Sequence, residues 1–109
     1  MGCRTTSGLI TGGDGFENWH LHPFAWLSGV YYVRVPDQIA NGNSRNGCIA
    51  FGLPEDLAGK AGAEAYGQRL VRPQEGLMLT FPSHAYHRTY PHETAGKRIC
   101  FAFDVRPIA

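Results

Sequence analysis

The chain has 109 residues, a mass of 12.0 kDa and a formal net charge of +1, which leaves room for one hydrophobic core, so we expect a single domain over residues 1–109. Hydrophobic residues make up 43% of the chain and charged residues 17%, a composition typical of globular and not of disordered proteins. The basic residues form no cluster, and no apolar run reaches the roughly 18 residues of a membrane span, so we expect neither nucleic acid nor membrane as partner.

Strand-like runs dominate the chain, and helical periodicity is nearly absent. The runs cover residues 7–11, 29–35, 47–51, 68–72, 76–81 and 98–105, with turn-rich segments between them. Only EDLAGKAGAEAYG (55–67) could form a helical turn or two, and its three glycines weaken even that. Many short strands with few helices predict an all-β barrel or jelly roll, in which ligand sites lie inside the mouth.

The cysteines indicate the compartment. Cys3, Cys48 and Cys100 are far apart in the chain and contain no CxxC pair. This pattern suggests neither a disulfide framework nor a zinc knuckle, and no signal peptide is recognisable. We therefore expect a cytoplasmic protein.

Residue parity divides the last strand-like run, RICFAFDV, into two faces. Four small or polar residues share one face and four large apolar residues share the other: Arg98, Cys100, Ala102 and Asp104 against Ile99, Phe101, Phe103 and Val105. In one interpretation the apolar face is buried and Arg98 is exposed to water. In the other, the small-residue face lines a cavity with Arg98 as its fixed cation, and the apolar face packs under another layer.

The histidines suggest a metal site. His20 and His22 are two residues apart, so on an extended strand both side chains point to the same face. His84 and His87 end a later strand and face opposite ways, so at most one of them joins the pair. Arg98 lies downstream of both.

Non-haem Fe(II) chemistry would account for this combination of residues. Fe(II) in an oxygenase needs three protein ligands on one side, which leaves adjacent positions for a bidentate cosubstrate and dioxygen. A 2-oxo acid fills two positions, and its far carboxylate needs a fixed cation. Arginine suits that task because its fork pairs with a carboxylate bidentately and keeps its charge.

Four segments carry a resemblance to a known family. HLHPFAWLSGVYYVRVP, CIAFG, RLVRPQEGLMLTFPSHAYHRTYP and KRICFAFDV resemble, in order and spacing, the 2-oxoglutarate/Fe(II)-dependent oxygenase family found in bacteria and in proteins fused to tetratricopeptide repeats. The resemblance covers residues 13–107. It implies a double-stranded β-helix, Fe(II) held by His20, His22 and His87, and 2-oxoglutarate held by Arg98. Tyr32 falls where related prolyl hydroxylases place a tyrosine on the same carboxylate.

The chain departs from the family's pattern in three respects. His22 stands where most of the wider superfamily has an aspartate, which makes the ligand set more positive. Cys100 stands where many members have a serine that shares the cosubstrate carboxylate, and a thiol is the poorer donor. Family members usually have a longer N-terminal part, so we expect a minimal or truncated core that lacks this layer.

Two other functions remain open. A cupin that binds metal without 2-oxoglutarate would have a similar barrel, but its first motif needs a glutamate where Trp26 and Leu27 stand. A non-catalytic barrel could instead act as a binding module. The turn GGDGFEN also offers Asp14 and Glu17 as alternative carboxylate ligands, although the turn reads as flexible.

Surface assignments complete the expectations. The apolar face of residues 99–105 would be uncovered without an N-terminal layer, so we expect a homodimer. His84 is expected to be a packing or rim residue, and His92 is expected in a solvated turn. Trp19, Phe24 and Trp26 could line a substrate mouth, the core or an interface.

Overall fold

The structure, a computed structural model, describes the backbone of residues 2–12, 17–92 and 96–108 and the side chains of residues 18–92 and 96–107. The described part contains eight strands and two helices. In chain order they are β1 (Gly2–Gly12), β2 (Glu17–His20), β3 (Leu27–Arg34), α1 (Asp37–Ala40), β4 (Ile49–Phe51), α2 (Glu55–Tyr66), β5 (Arg69–Val71), β6 (Met78–Pro82), β7 (His87–Thr89) and β8 (Arg98–Ile108).

The strands form two four-stranded sheets. The order is β1-β8-β3-β6 in the first sheet and β2-β7-β4-β5 in the second, and all pairs are antiparallel. The first strand therefore pairs with the last and the second with the seventh, which is the strand order of a jelly roll. The predicted all-β, double-stranded β-helix class is confirmed.

Alternation along β3 and β8 determines which side chains reach the interior. Val30 and Tyr32 of β3 and Cys100 of β8 are buried, together with Val35 and Ile39 of the following segment. Arg98 is also buried, at 8% exposure. The small-residue face of β8 thus points inward, as the second of the two interpretations expected.

The outer face of the first sheet remains partly open. Tyr31 is 40% exposed, Val33 44%, Met78 59% and Phe101 44%. Phe103, on the same face, lies over Gly29, where an added Cβ would come within 2.2 Å of the ring. The exposed apolar area therefore extends beyond β8 to β3 and β6.

Helical structure is more extensive than the sequence suggested. α2 follows Pro54, has Glu55 and Asp56 in its first turn, and is broken at Gly59 (φ 74°, ψ 164°) into two helical pieces. None of its residues is buried. No helix in the described part of the chain is long and apolar enough to cross a membrane.

Candidate metal centre

Three histidines from different parts of the chain meet in the second sheet. His20 ends β2 and His87 begins β7, and the antiparallel register sets the two directly opposite each other. His22 follows β2, and its backbone N–H donates to the Ser83 carbonyl at 2.9 Å. The candidate ligand atoms of the three residues lie within 4.8 Å of one another. The group could therefore hold one metal ion.

His20 and His22 do not lie on one extended strand, as we expected them to. β2 ends at His20, and its register is irregular between Glu17 and His20. The two rings are nevertheless 5.3 Å apart, and each lies within 5.2 Å of the His87 ring. The backbone hydrogen bond of His22 to Ser83 joins the segment after β2 to the turn after β6.

Each ring has an acceptor at its Nδ1. His20 Nδ1 lies 2.7 Å from the Asn18 carbonyl oxygen, and His87 Nδ1 lies 3.0 Å from the Ala85 carbonyl oxygen. His22 Nδ1 lies 2.9 Å from Oδ2 of Asp104. Because these oxygens only accept, each Nδ1 carries the proton and Nε2 has the lone pair that a metal needs. The donor set thus fits a divalent transition metal such as Fe(II).

Asp104 connects His22 to a buried polar network. Its Oδ1 accepts a hydrogen bond from Ser28 Oγ at 2.7 Å, and Ser28 Oγ lies 3.1 Å from Ser83 Oγ. Ser28 and Ser83 are 2% and 1% exposed. Both carboxylate oxygens of Asp104 are therefore engaged, one toward the candidate centre and one toward the interior.

Aromatic rings cover one side of the centre. The Phe81 ring centroid lies 4.7 Å from that of His87, and Phe51 contacts Phe81 at 4.9 Å. Such a wall excludes water from the side of the ring and limits its rotation.

The other predicted residues lie toward the opposite end of β8. Arg98 Nη1 donates to the Gly47 carbonyl at 3.0 Å. Tyr32 and Cys100 are 4% exposed and face each other across the β3–β8 register. Burial raises the pKa of the Tyr32 hydroxyl well above its ordinary value, although the positive charge of Arg98 opposes the shift.

The remaining histidines differ from one another. His84 is exposed, as expected of a rim residue. His92 was expected to be solvated, but this is wrong: it is 1% exposed. Pro91 and the turn composition suggested a surface position, whereas tertiary packing buries the ring. Asp14 and the Glu17 side chain lie outside the described residues.

The three aromatic residues considered for a substrate mouth do not lie together in the structure. Phe24 and Trp26 are 82% and 49% exposed. The Trp19 ring lies beside Arg88, at 5.8 Å from its guanidinium carbon, and lines a groove of about 1020 Å³ between the second sheet and α2. Trp19 therefore does not face the histidines.

Three residues of the site were not predicted from the sequence: Ser28, Ser83 and Asp104. A signal for Asp104 was present, since strand parity placed it on the same inner face as Arg98. Ser28 and Ser83 belong to the segments LSGVYYV and FPS, whose likeness to the family had been noted without assigning the serines a role.

The sequence matches the profile of a known family. The profile of the family described as "Putative 2OG-Fe(II) oxygenase" matches residues 9–104 of this chain. No curated protein matches the chain in sequence.

A prolyl-4-hydroxylase and a cupin domain are among the solved structures that are similar to this one. A prolyl-4-hydroxylase from Pseudomonas putida aligns with a TM-score of 0.65 and 18% identity over 98% of this chain and 52% of that chain. A cupin domain from Bordetella pertussis Tohama I aligns with a TM-score of 0.53 and 13% identity over 96% of this chain and 82% of that chain. The chain thus spans about half the length of the prolyl-4-hydroxylase. At these identities the likeness shows the fold alone.

Proposed function

The chain belongs to the 2OG-Fe(II) oxygenase family, and on that premise we propose that it is a non-haem Fe(II)- and 2-oxoglutarate-dependent dioxygenase that hydroxylates an unidentified substrate. The observation that carries the proposal is the convergence of His20, His22 and His87, each with its Nδ1 proton directed to an oxygen acceptor. In this proposal their Nε2 atoms are the three metal ligands.

The inner face of β8 would hold the cosubstrate. Its side chains run from Arg98 at one end to Asp104, hydrogen-bonded to His22, at the other. In this proposal a dicarboxylate bound at the histidines directs its far carboxylate to Arg98, which is positively charged and 8% exposed. A guanidinium pairs with a carboxylate bidentately, so it would fix both position and orientation.

Tyr32 and Cys100 would complete the carboxylate pocket. The Tyr32 hydroxyl is protonated at neutral pH, as in an ordinary tyrosine, and burial raises its pKa further, so it can donate a hydrogen bond to a carboxylate. Cys100 offers only a weak S–H donor. We therefore assign most of the carboxylate binding to Arg98 and Tyr32.

Bound together, Fe(II) and 2-oxoglutarate would supply the oxidising chemistry, in which dioxygen is consumed and the 2-oxo acid is converted to succinate and CO2. The protein's part is position, charge and exclusion of water. Phe51 and Phe81 contribute the last of these beside His87. The identity of the substrate would depend on the loops at the rim.

Anaerobic titration of the Fe(II)-loaded protein with 2-oxoglutarate tests the proposal. We expect the visible charge-transfer band of the chelate in the wild type, and its loss in Arg98→Ala at the same 2-oxoglutarate concentration. Arg69→Ala, which removes an exposed arginine of β5, is the matched control and should keep the band. His22→Ala and His87→Ala should each fail to retain stoichiometric Fe(II).

The outcomes separate the oxygenase from the alternatives. Fe(II) binding without a band would favour a cupin-type metal protein that does not use 2-oxoglutarate. Retention of stoichiometric iron by both histidine variants would refute the ligand assignment. A wild type that binds no iron would indicate a barrel that acts as a binding module.

A further inference from the structure

We propose that Asp104 is a positioning residue that supplies, through His22, the negative charge that most of the superfamily supplies by a carboxylate bound directly to the metal. The proposal rests on the proposed function only in taking His22 as a metal ligand. It has a specific consequence: an aspartate at position 22 is incompatible with the charge of Asp104.

The first step is the contact between the two side chains. His22 Nδ1 lies 2.9 Å from Asp104 Oδ2, and both side chains are partly shielded, at 31% and 28% exposure. A carboxylate that accepts from the far nitrogen of a ligating histidine fixes the tautomer and ring orientation and makes the ligand more basic. Asp104 stands in that relation to His22.

The second step is that Asp104 is itself held in place. Ser28 Oγ donates to its other oxygen at 2.7 Å and also contacts the buried Ser83 Oγ at 3.1 Å. Ser83 in turn accepts the backbone N–H of His22 through its carbonyl. The network therefore fixes both the backbone and the ring of His22.

The third step concerns the residue that position 22 can accept. In histidine, Nδ1 is bonded to Cγ, as each carboxylate oxygen is in aspartate. With the same rotamer, one oxygen of an aspartate at position 22 would lie close to the present Nδ1 position and hence about a hydrogen-bond length from Asp104 Oδ2. Two carboxylates at that distance repel each other. The new carboxylate would turn away from the metal position.

Metal titration without 2-oxoglutarate tests the positioning role. We expect Asp104→Asn, which keeps the shape but removes the charge and replaces one acceptor oxygen by a donor NH2, to weaken Co(II) binding by about 10–100-fold, the range typical of such outer partners. Ser28→Ala keeps the His22–Asp104 contact and should lose less Co(II) affinity than Asp104→Asn. Asp37→Asn, which removes an exposed carboxylate on α1, should bind as the wild type does. An Asp104→Asn protein that binds Co(II) as tightly as the wild type would overturn the proposal.

A second test adds a carboxylate at position 22, where the first removes the charge of Asp104. We expect His22→Asp to bind Co(II) more weakly than Asp104→Asn does. The double variant His22→Asp/Asp104→Asn should bind Co(II) about tenfold or more tightly than His22→Asp does. It moves the one carboxylate to position 22, whereas His22→Asp adds a second carboxylate beside the first. A double variant that binds Co(II) no more tightly than His22→Asp would contradict the expected repulsion between the two carboxylates.

A metal-free readout separates positioning from general damage to the fold. Long-range ¹H–¹⁵N spectra of the apo protein should show the His22 proton on Nδ1 in the wild type and a mixture of tautomers in Asp104→Ala. The same mixture in the wild type would overturn the proposal. Co(II) binding without 2-oxoglutarate-dependent succinate formation would refute the proposed function and leave this inference intact. A wild type that binds no Co(II) would refute both.

Discussion

Among single residues, Tyr32 shows how burial can prepare a hydrogen-bond donor. Its side chain is 4% exposed, and loss of water is the largest cause that raises the pKa of its hydroxyl. Arg98 lowers that pKa, while Cys100 and Cys48 raise it further. The balance favours the neutral hydroxyl, which can donate to an anion beside Arg98.

This shift predicts how stability depends on pH. Because the pKa of Tyr32 is higher in the folded than in the unfolded chain, where it is about 10, its contribution is complete below about pH 10 and is lost as pH rises further. We expect the free energy of unfolding in urea to fall above pH 10, and to fall less steeply in Tyr32→Phe. Tyr66→Phe, at a position 67% exposed, should follow the wild type. Identical slopes for Tyr32→Phe and wild type would contradict the prediction.

The residue types at the site could be predicted, but their partners could not. HxH spacing predicts a histidine pair, and parity allows Arg98 to be either exposed or directed into a cavity. The contacts His22–Asp104, Ser28–Asp104 and Ser28–Ser83 join residues 82, 76 and 55 positions apart. No local pattern encodes such a network, because it exists only once β3, the turn after β6 and β8 come together.

At the scale of the elements, one glycine, Gly47, contacts residues from three other segments of the chain. Gly47 precedes β4, has φ 76° and donates its N–H to the Tyr90 carbonyl at 3.1 Å. Its own carbonyl accepts from Arg98, and Ile39 packs against its Cα so closely that an added Cβ would lie 2.8 Å from the side chain. The position of the Arg98 guanidinium therefore depends on this turn.

A pair of substitutions separates backbone strain from crowding. Gly47→Ala and Gly59→Ala both place a side chain at positive φ, but the space around Gly59 is open. We expect both to lose about 1–3 kcal/mol from the positive-φ backbone, and Gly47→Ala to lose a further 1–3 kcal/mol or so from overpacking against Ile39. Urea unfolding measures the difference. Equal losses would show that Ile39 adjusts freely.

The elements that the sequence predicted least well are short or broken. Alternation predicted β3, β4, β5, β6 and β8, each within a few residues of its observed bounds. β2 and β7 have four and three residues, too few for a period of two to be recognised. α2 was predicted only as a turn or two, because its glycines have low helix propensity and Gly59 indeed breaks it.

For the whole molecule, the fold class followed from the number of strands, whereas the strand order did not. Pairing β1 with β8 brings together residues from opposite ends of the chain, with Gly12 opposite Arg98 and Gly2 opposite Ile108. Burial of the inner faces of both sheets determines such pairing, and no periodic pattern in the sequence indicates which strands pair. The same arrangement leaves the outer face of the first sheet without a covering layer among the described residues.

We propose that this outer face mediates self-association. Tyr31 lies between Phe101 and Met78 in the sheet register, and these three side chains are 40%, 44% and 59% exposed. Burying a large apolar side chain contributes roughly 1.5–3 kcal/mol, and a two-fold axis would place each face against its own copy. We expect a dimer in sedimentation velocity at micromolar concentration and a monomer for Phe101→Lys. Leu57→Lys on α2, 62% exposed and outside this face, should remain dimeric. A monomeric wild type would contradict the proposal, and loss of the dimer in both variants would place the interface elsewhere.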